Sequence, residues 1–259
     1  MAQETQQTRC SIIVSSCDAY QDCWEAFFTT FFRYWPGCPF PVYLISNYLT
    51  YPDSRVRTIS LGRDQGWADN IREALKQINT PYFIYFGEDV FLKKKVDNER
   101  ILSLVSLMEK ERVAYLRLYP VPGPDLPYKN FKEVGEIKKG ASYRTSLMTS
   151  IWDKEIFNKL LVNGENAWQM ELDGSIRSNK IEEPFLSVPS NKKAVDQYAT
   201  AIKKGTWFYD AVIWCEREGI KIDRQRRPIE SFGRYVLRKF KKLPFLGKPV
   251  SFILRKINL

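Results

Sequence analysis

PYFIYFGEDVFL, residues 81–92, decides the fold. Tyr82, Phe83, Ile84, Tyr85 and Phe86 form an unbroken aromatic and β-branched run, the composition of a strand buried on both faces. Gly87 ends the run, and Glu88 and Asp89 follow where an open α/β sheet presents its ligand crevice. Carboxylates at that edge are oxygen ligands for Mg²⁺ or Mn²⁺ and, through the metal, for a diphosphate. The competing reading is that they cap the next helix or face water.

The segments upstream set the strand in a larger unit. Ser11 to Ser16 (SIIVSS) has the pattern of a first strand, and it runs into Cys17, Asp18 and Tyr20. Trp24, Phe27, Phe28, Phe31 and Phe32 then recur at i, i+3, i+4 spacing, which predicts an amphipathic helix. The turn Pro36-Gly37-Cys38-Pro39 precedes a second strand, Pro41 to Ser46, and a third lies near Arg57 to Leu61. A helix over Trp67 to Ile78 delivers the chain to the aromatic strand. Strand, helix, strand, strand, helix, strand is the order of a nucleotide-binding α/β half with parallel strands and right-handed crossovers.

VSSCDAY (14–20), LGRDQGWADNIREAL (61–75) and YFIYFGEDVFL (82–92) together resemble the GT-A-type glycosyltransferases of bacterial surface-polysaccharide pathways, of the family-2-like kind. GASYRTSLMTSIWDKEIF (140–157) and NAWQMELDGS (166–175) resemble their acceptor-side segments, so the likeness runs from about Ser11 to Trp207. It implies a Rossmann-like, mixed and mostly parallel sheet flanked by helices, and an enzyme that takes a sugar from a nucleotide-sugar donor. In that family an Asp-x-Asp motif at the end of this strand holds the donor diphosphate through a divalent metal. Gly87-Glu88-Asp89 stands here instead, so the first aspartate is absent and Asp89 is the expected ligand, alone or with Glu88.

The same resemblance distributes the other candidates. Ser16 and Asp18 fall where the family reads the nucleoside, although Asp18 also suits the start of the first helix. Asp69 and Arg72 share a face of the Trp67 helix, which borders the donor pocket; a simple surface pair explains them equally. On the acceptor side lie Arg117 in VAYLRLYP, then Tyr143 and Arg144 in GASYRTSLM, expected as a strand, with Trp152 opening the next helix. Trp168 and Glu171 lie three residues apart on one side of a helical turn. Glu171 occupies the region where the inverting members place a carboxylate base, with Asp173 as its rival.

Composition narrows the chemistry. The 259 residues contain no histidine, which removes Ser-His-Asp and Cys-His activation and every His-bearing zinc site. Five cysteines without CxxC spacing support neither a zinc ribbon nor a redox motif. The polar start MAQETQQTR lacks the apolar core of a signal peptide, and no apolar run reaches the length of a membrane span. A reducing, cytoplasmic setting is expected.

Charge divides the chain. Residues 221–259 carry twelve lysines and arginines against Asp223 and Glu230, and hold the whole formal excess of ten positive charges. The expected organisation is a glycosyltransferase domain over 1–220 and a basic extension over 221–259. ESFGRYVLRKFKKL sets Phe232, Tyr235, Val236, Phe240 and Leu243 toward one side of a helix and Arg234, Arg238, Lys241 and Lys242 toward others. That pattern suits an anionic membrane surface at the inner face of the cell membrane, where a lipid-linked glycan acceptor would be met. A packed C-terminal helix, a partner protein and nucleic acid are the alternatives. Nucleic acid is disfavoured because no helix-turn-helix, RNP or zinc signature is present. Two other functions share the carboxylate-edge logic: a metal-dependent nucleotidyltransferase, and a catalytically inactive module that binds glycan or membrane.

Overall fold

The computed structural model describes residues 9–240. The chain divides into two compact units, Met1–Ala199 and Thr200–Leu259. In the first, β1 (Cys10–Ser15) is followed by α1 (Gln21–Tyr34), β2 (Val42–Ser46), β3 (Val56–Ser60), α2 (Trp67–Lys76) and β4 (Tyr82–Gly87). Next come β5 (Phe91–Leu92), α3 (Asn98–Lys110), β6 (Tyr115–Arg117), β7 (Leu126–Tyr128), β8 (Phe131–Glu136) and β9 (Ser150–Asp153). The unit closes with α4 (Lys154–Leu160), α5 (Ala167–Arg177), β10 (Phe185–Ser187) and β11 (Gln197–Tyr198).

Nine strands form one sheet in the order β3-β2-β1-β4-β9-β6-β10-β8-β7. Pairing is parallel from β3 to β4 and between β6 and β10, and antiparallel on both sides of β9 and between β10, β8 and β7. All strands except β8 and β9 therefore point the same way. The mixed, mostly parallel sheet flanked by helices that the sequence predicts is present.

The aromatic run explains why β4 is central. Phe86 turns to one face, where Phe27 and Phe31 of α1 meet it edge-on at 5.7 and 5.9 Å. Phe83 and Tyr85 turn to the other and join a cluster with Ile71 and Leu75 of α2, Trp152 of β9 and Phe157 of α4. Each fully buried aromatic of this kind contributes about 1.5–3 kcal/mol relative to exposure, so the strand is fixed by both layers at once. Register then sets the edge: Cys10 pairs with Tyr82 and Ser15 with Gly87, so β1 and β4 end together. Ser46 at the end of β2 pairs with Ser60 at the end of β3.

Two expectations for the segment before α4 are corrected. Residues 142–148 form turns, not a strand, and Trp152 belongs to β9, not to a helix. The helix begins at Lys154 because Asp153 caps it, its Oδ1 accepting the Ile156 N–H at 2.9 Å.

The second unit contains the hairpin β12 (Ile202–Lys203) and β13 (Thr206–Trp207), then α6 (Tyr209–Arg217) and α7 (Phe232–Phe240). The helices α6 and α7 pack on each other. Tyr209 of α6 lies 5.5 and 5.4 Å from Phe232 and Tyr235. Arg238 pairs with Asp210 and with Glu230, the latter at 2.7 Å, and its guanidinium lies 4.0 Å from the Phe208 ring centre. Lys239 reaches Asp210 at 2.9 Å. Arg238, expected on the outer faces of the basic helix, and its neighbour Lys239 thus neutralise acids within the unit. Leu243, Lys241 and Lys242 lie outside the described residues.

Candidate functional site

The carboxyl edge of β1, β2 and β4 is built by short polar loops that bond to one another. Asp18 stands just past β1, and its carboxylate accepts the backbone N–H groups of Asn47 and Tyr48 at 3.0 Å each and of Leu49 at 3.3 Å. Asn47 returns a bond from its Oδ1 to the Asp18 N–H at 3.1 Å and donates from Nδ2 to the Gly62 carbonyl at 3.0 Å. Asp18 therefore fixes the loop after β2 against the loop after β1 and frames the crevice. Ser16 takes part in the same frame, its Oγ accepting the Trp24 indole N–H at 2.8 Å.

The loop after β3 adds residues that sequence reasoning missed. Asp64 accepts the Gly66 N–H at 2.9 Å and the Asn70 side-chain amide at 2.7 Å, while the Gln65 N–H bonds to Asn70 Oδ1 at 3.2 Å. Gly66 has φ +98°, a conformation that a side chain would strain, and α2 starts from it. The Asp64-x-Gly66-x-x-x-Asn70 spacing was the available signal. Burial raises the pKa of the Cys17 thiol, and the charges of Glu88 and Asp64 raise it further. Glu88 and Asp64 thus act on the same point from two loops, and this part of the edge is acidic.

Glu88 and Asp89 form the turn between β4 and β5, and both are half-buried. Among the described residues no group of three or more acidic, cysteine or histidine side chains is arranged to hold a metal ion. Two adjacent carboxylates fit a Mg²⁺- or Mn²⁺-type ion that completes its oxygen shell with phosphate and water, as Mg²⁺ usually does in nucleotide sites.

Beneath this turn lies Tyr85, whose Oη accepts the Trp67 indole N–H at 3.3 Å. Burial holds its hydroxyl protonated, and the charges of Glu88 and Glu171 push in the same direction. Charges from two separate parts of the chain thus act on this one buried hydroxyl. Glu171 sits on α5, which a capping box between Asn166 and Gln169 starts. Its Oε1 accepts the Leu147 N–H at 2.7 Å and the Ser146 hydroxyl at 3.1 Å. Its Oε2 accepts no hydrogen bond from any described residue. One oxygen is pinned by two donors and the other is not.

Trp168 is 63% exposed one turn before Glu171, and Tyr143 is 39% exposed with φ +55°. Both side chains stand outward. Asp173, the rival base, is exposed on α5.

Three of the candidates have partners of their own within the fold. Arg144 is 2% exposed: its guanidinium bonds to the carbonyls of Ile137 and Ser178 and lies 3.9 Å from the Phe185 ring centre. Burial lowers its pKa to about 10. It holds the 140s loop and is closed to a ligand. Asp69 accepts the Gly164 N–H at 2.8 Å, and Arg72 donates to the Leu161 carbonyl at 2.9 Å. Both tie α2 to the α4–α5 connection, and they form no ion pair with each other.

No protein-family model matches the chain, and no curated protein matches it. Among solved structures, S. aureus TarS aligns over 92% of this chain and 44% of its own length, at 14% identity and a TM-score of 0.49. This chain thus spans less than half of TarS. A shorter TarS form, 1-349, in complex with UDP-GlcNAc aligns over 76% of this chain and 59% of its own, at 16% identity and a TM-score of 0.48. GalNAc-T7 with UDP, GalNAc and Mn²⁺ aligns over 72% of this chain and 43% of its own, at 11% identity and a TM-score of 0.47.

Proposed function

We propose that this chain is a glycosyltransferase that moves a sugar from a nucleotide-sugar donor to a hydroxyl of a glycan acceptor. The observation that supports the reading is the Glu171 carboxylate, held through one oxygen by the Leu147 N–H and the Ser146 hydroxyl, in a fold whose central strand β4 ends at the Glu88–Asp89 turn. The motif likeness of residues 11–207 agrees with it. On this reading Ser16 and the Asp18 frame border the nucleoside, and Trp168 and Tyr143 meet the acceptor. Glu88 and Asp89 would hold a Mg²⁺ or Mn²⁺ ion, whose charge offsets that growing on the leaving diphosphate.

Glu171 Oε2 takes the proton of the acceptor hydroxyl as its oxygen bonds to the anomeric carbon. The bond from that carbon to the diphosphate oxygen breaks, and the nucleoside diphosphate leaves with the electron pair. A base on the acceptor side and a leaving group on the opposite side give inversion. Phosphorus NMR of the chain incubated with Mn²⁺, UDP- and GDP-sugars and a glycan extract tests this. Nucleoside diphosphate is the expected product. Pyrophosphate would mean nucleotidyl transfer, and donor binding without any product would mean a binding module.

The acceptor side extends the proposal to a lipid-linked glycan, met by a cytoplasmic, peripheral protein at the inner face of the membrane. Among the described residues no helix is long and apolar enough to cross a membrane. Phe232 and Phe240 of α7 are exposed, as is Arg234, whereas Arg238 and Lys239 are paired internally. Lipid attraction therefore falls to Arg234 and the five cations beyond residue 240. Each cation near an anionic surface contributes about 1 kcal/mol, screened by salt. Ending the chain after Phe240 should abolish sedimentation with phosphatidylserine vesicles at low salt. Undiminished sedimentation of the shortened chain would assign the surface elsewhere.

A further inference from the structure

Arg117 is a fully buried cation at the end of β6, 0% exposed, and no carboxylate of the described residues pairs with it. Burying an unpaired guanidinium costs several kcal/mol unless its N–H groups are directed onto good acceptors. Here every arm is so directed. Nε donates to the Tyr115 hydroxyl at 2.9 Å, Nη2 to the Tyr143 carbonyl at 2.6 Å, and Nη1 to the Pro122 carbonyl. Tyr115 passes the connection on, its hydroxyl donating to the Ser146 carbonyl at 2.7 Å. Burial raises the pKa of that hydroxyl, which keeps it a donor.

Ser146 is where the chain of bonds meets the base. Its carbonyl is held by Tyr115, its N–H bonds to the Tyr143 carbonyl at 3.0 Å, and its hydroxyl donates to Glu171 Oε1. The next N–H, of Leu147, donates to the same oxygen. The turn over 143–147 has no sheet partner of its own, so Arg117 and Tyr115 beneath it and α5 above it determine where those two donors stand.

We propose that Arg117 and Tyr115 are positioning residues that act on turnover through Ser146, by fixing the orientation of the Glu171 carboxylate. The inference rests on Glu171 being the base. A carboxylate swung about its pinned oxygen by even a fraction of an ångström would present Oε2 off the line of the acceptor hydroxyl, and misplacement on that scale is expensive in rate. The geometry also explains why an arginine is retained in a core. Two loop carbonyls and the Tyr115 hydroxyl at fixed angles need a planar fork, which an apolar side chain of equal volume does not supply.

Tyr115→Phe tests it, because the ring is held by Trp152 at 4.4 Å and Phe185 at 5.7 Å and stays in place without the hydroxyl. The expected result is a kcat about ten-fold lower, with donor KM changed by less than about two-fold. In a Glu171→Gln background the same substitution should cost less than about two-fold, since there is no base left to orient. Ser146→Ala, which removes only one bond to Oε1, should show the same masking. An unchanged kcat in Tyr115→Phe, or a loss of equal size in both backgrounds, would overturn the positioning role. Full activity of Glu171→Gln alone would instead remove the base assignment on which it rests.

Discussion

Glu171→Gln should lower turnover by about 100-fold or more while leaving donor affinity within about two-fold. The substitution keeps volume and an acceptor atom for the Leu147 N–H and the Ser146 hydroxyl, so the α5 anchor survives. It removes the oxygen that takes the acceptor proton, and the hydroxyl must then attack while still protonated. Asp173→Asn provides the contrast: that side chain is exposed, and its loss should leave the rate within about two-fold. Steady-state rates of nucleoside diphosphate release, with unfolding midpoints for each variant, check both expectations. An unaffected rate in Glu171→Gln would place the base elsewhere, and a collapsed midpoint would make Glu171 a structural residue.

Much of the fold was legible because its strongest signals are local. The run Tyr82–Phe86 can be buried only between two apolar layers, and the helix that fills one of them announces itself in the spacing of Phe27, Phe28 and Phe31. The parallel half of the sheet follows from those segments and their connections. The other half was poorly legible because its strands are short. β9 has four residues and is wedged antiparallel between β4 and β6, so Ile151 and Trp152 look like the start of the next helix until Asp153 is recognised as its cap. Residues 144–147 are buried as a strand's would be, yet Arg144, Thr145 and Ser146 are buried by side-chain bonds to α5 and its neighbours. Thr145 Oγ1 bonds to the Met170 carbonyl at 3.0 Å, and the Thr145 N–H to Ser175 Oγ at 3.1 Å.

The site divides in the same way. Carboxylates at the end of β4 are a positional signal that one strand carries by itself. The pair Asp69 and Arg72 shows the limit of such signals: three-residue spacing fits a mutual pair, but each side chain has a partner in 161–164, far away in sequence. Tyr115 gives no local sign of its bond to Ser146, because that bond depends on β6, the 143–147 turn and α5 meeting in space. Charge misled at the C-terminus for a similar reason. Arg238 and Lys239 count as surplus until Asp210 and Glu230 are seen to face them.

The account depends most on the turn after β4 carrying a nucleotide diphosphate. Asp89→Asn keeps the size of the side chain and removes its charge, and Glu88→Gln does the same for its neighbour. If a divalent ion joins this turn to the diphosphate, loss of the Asp89 charge removes its strongest protein ligand, and affinity should fall by about 100-fold, on the order of 3 kcal/mol. Glu88→Gln should cost less if Asp89 is the principal ligand. Neither variant should unfold the protein, since the turn follows a strand whose residues from Tyr82 to Phe86 are buried independently of it. The direct measurement is calorimetric titration of wild type and Asp89→Asn with UDP and GDP, each with Mn²⁺ and with EDTA. The account predicts tight binding of one nucleotide by wild type with Mn²⁺, and loss of that binding both in EDTA and in the variant. Equal affinity under all four conditions, or no nucleotide binding by the folded wild type, would contradict it.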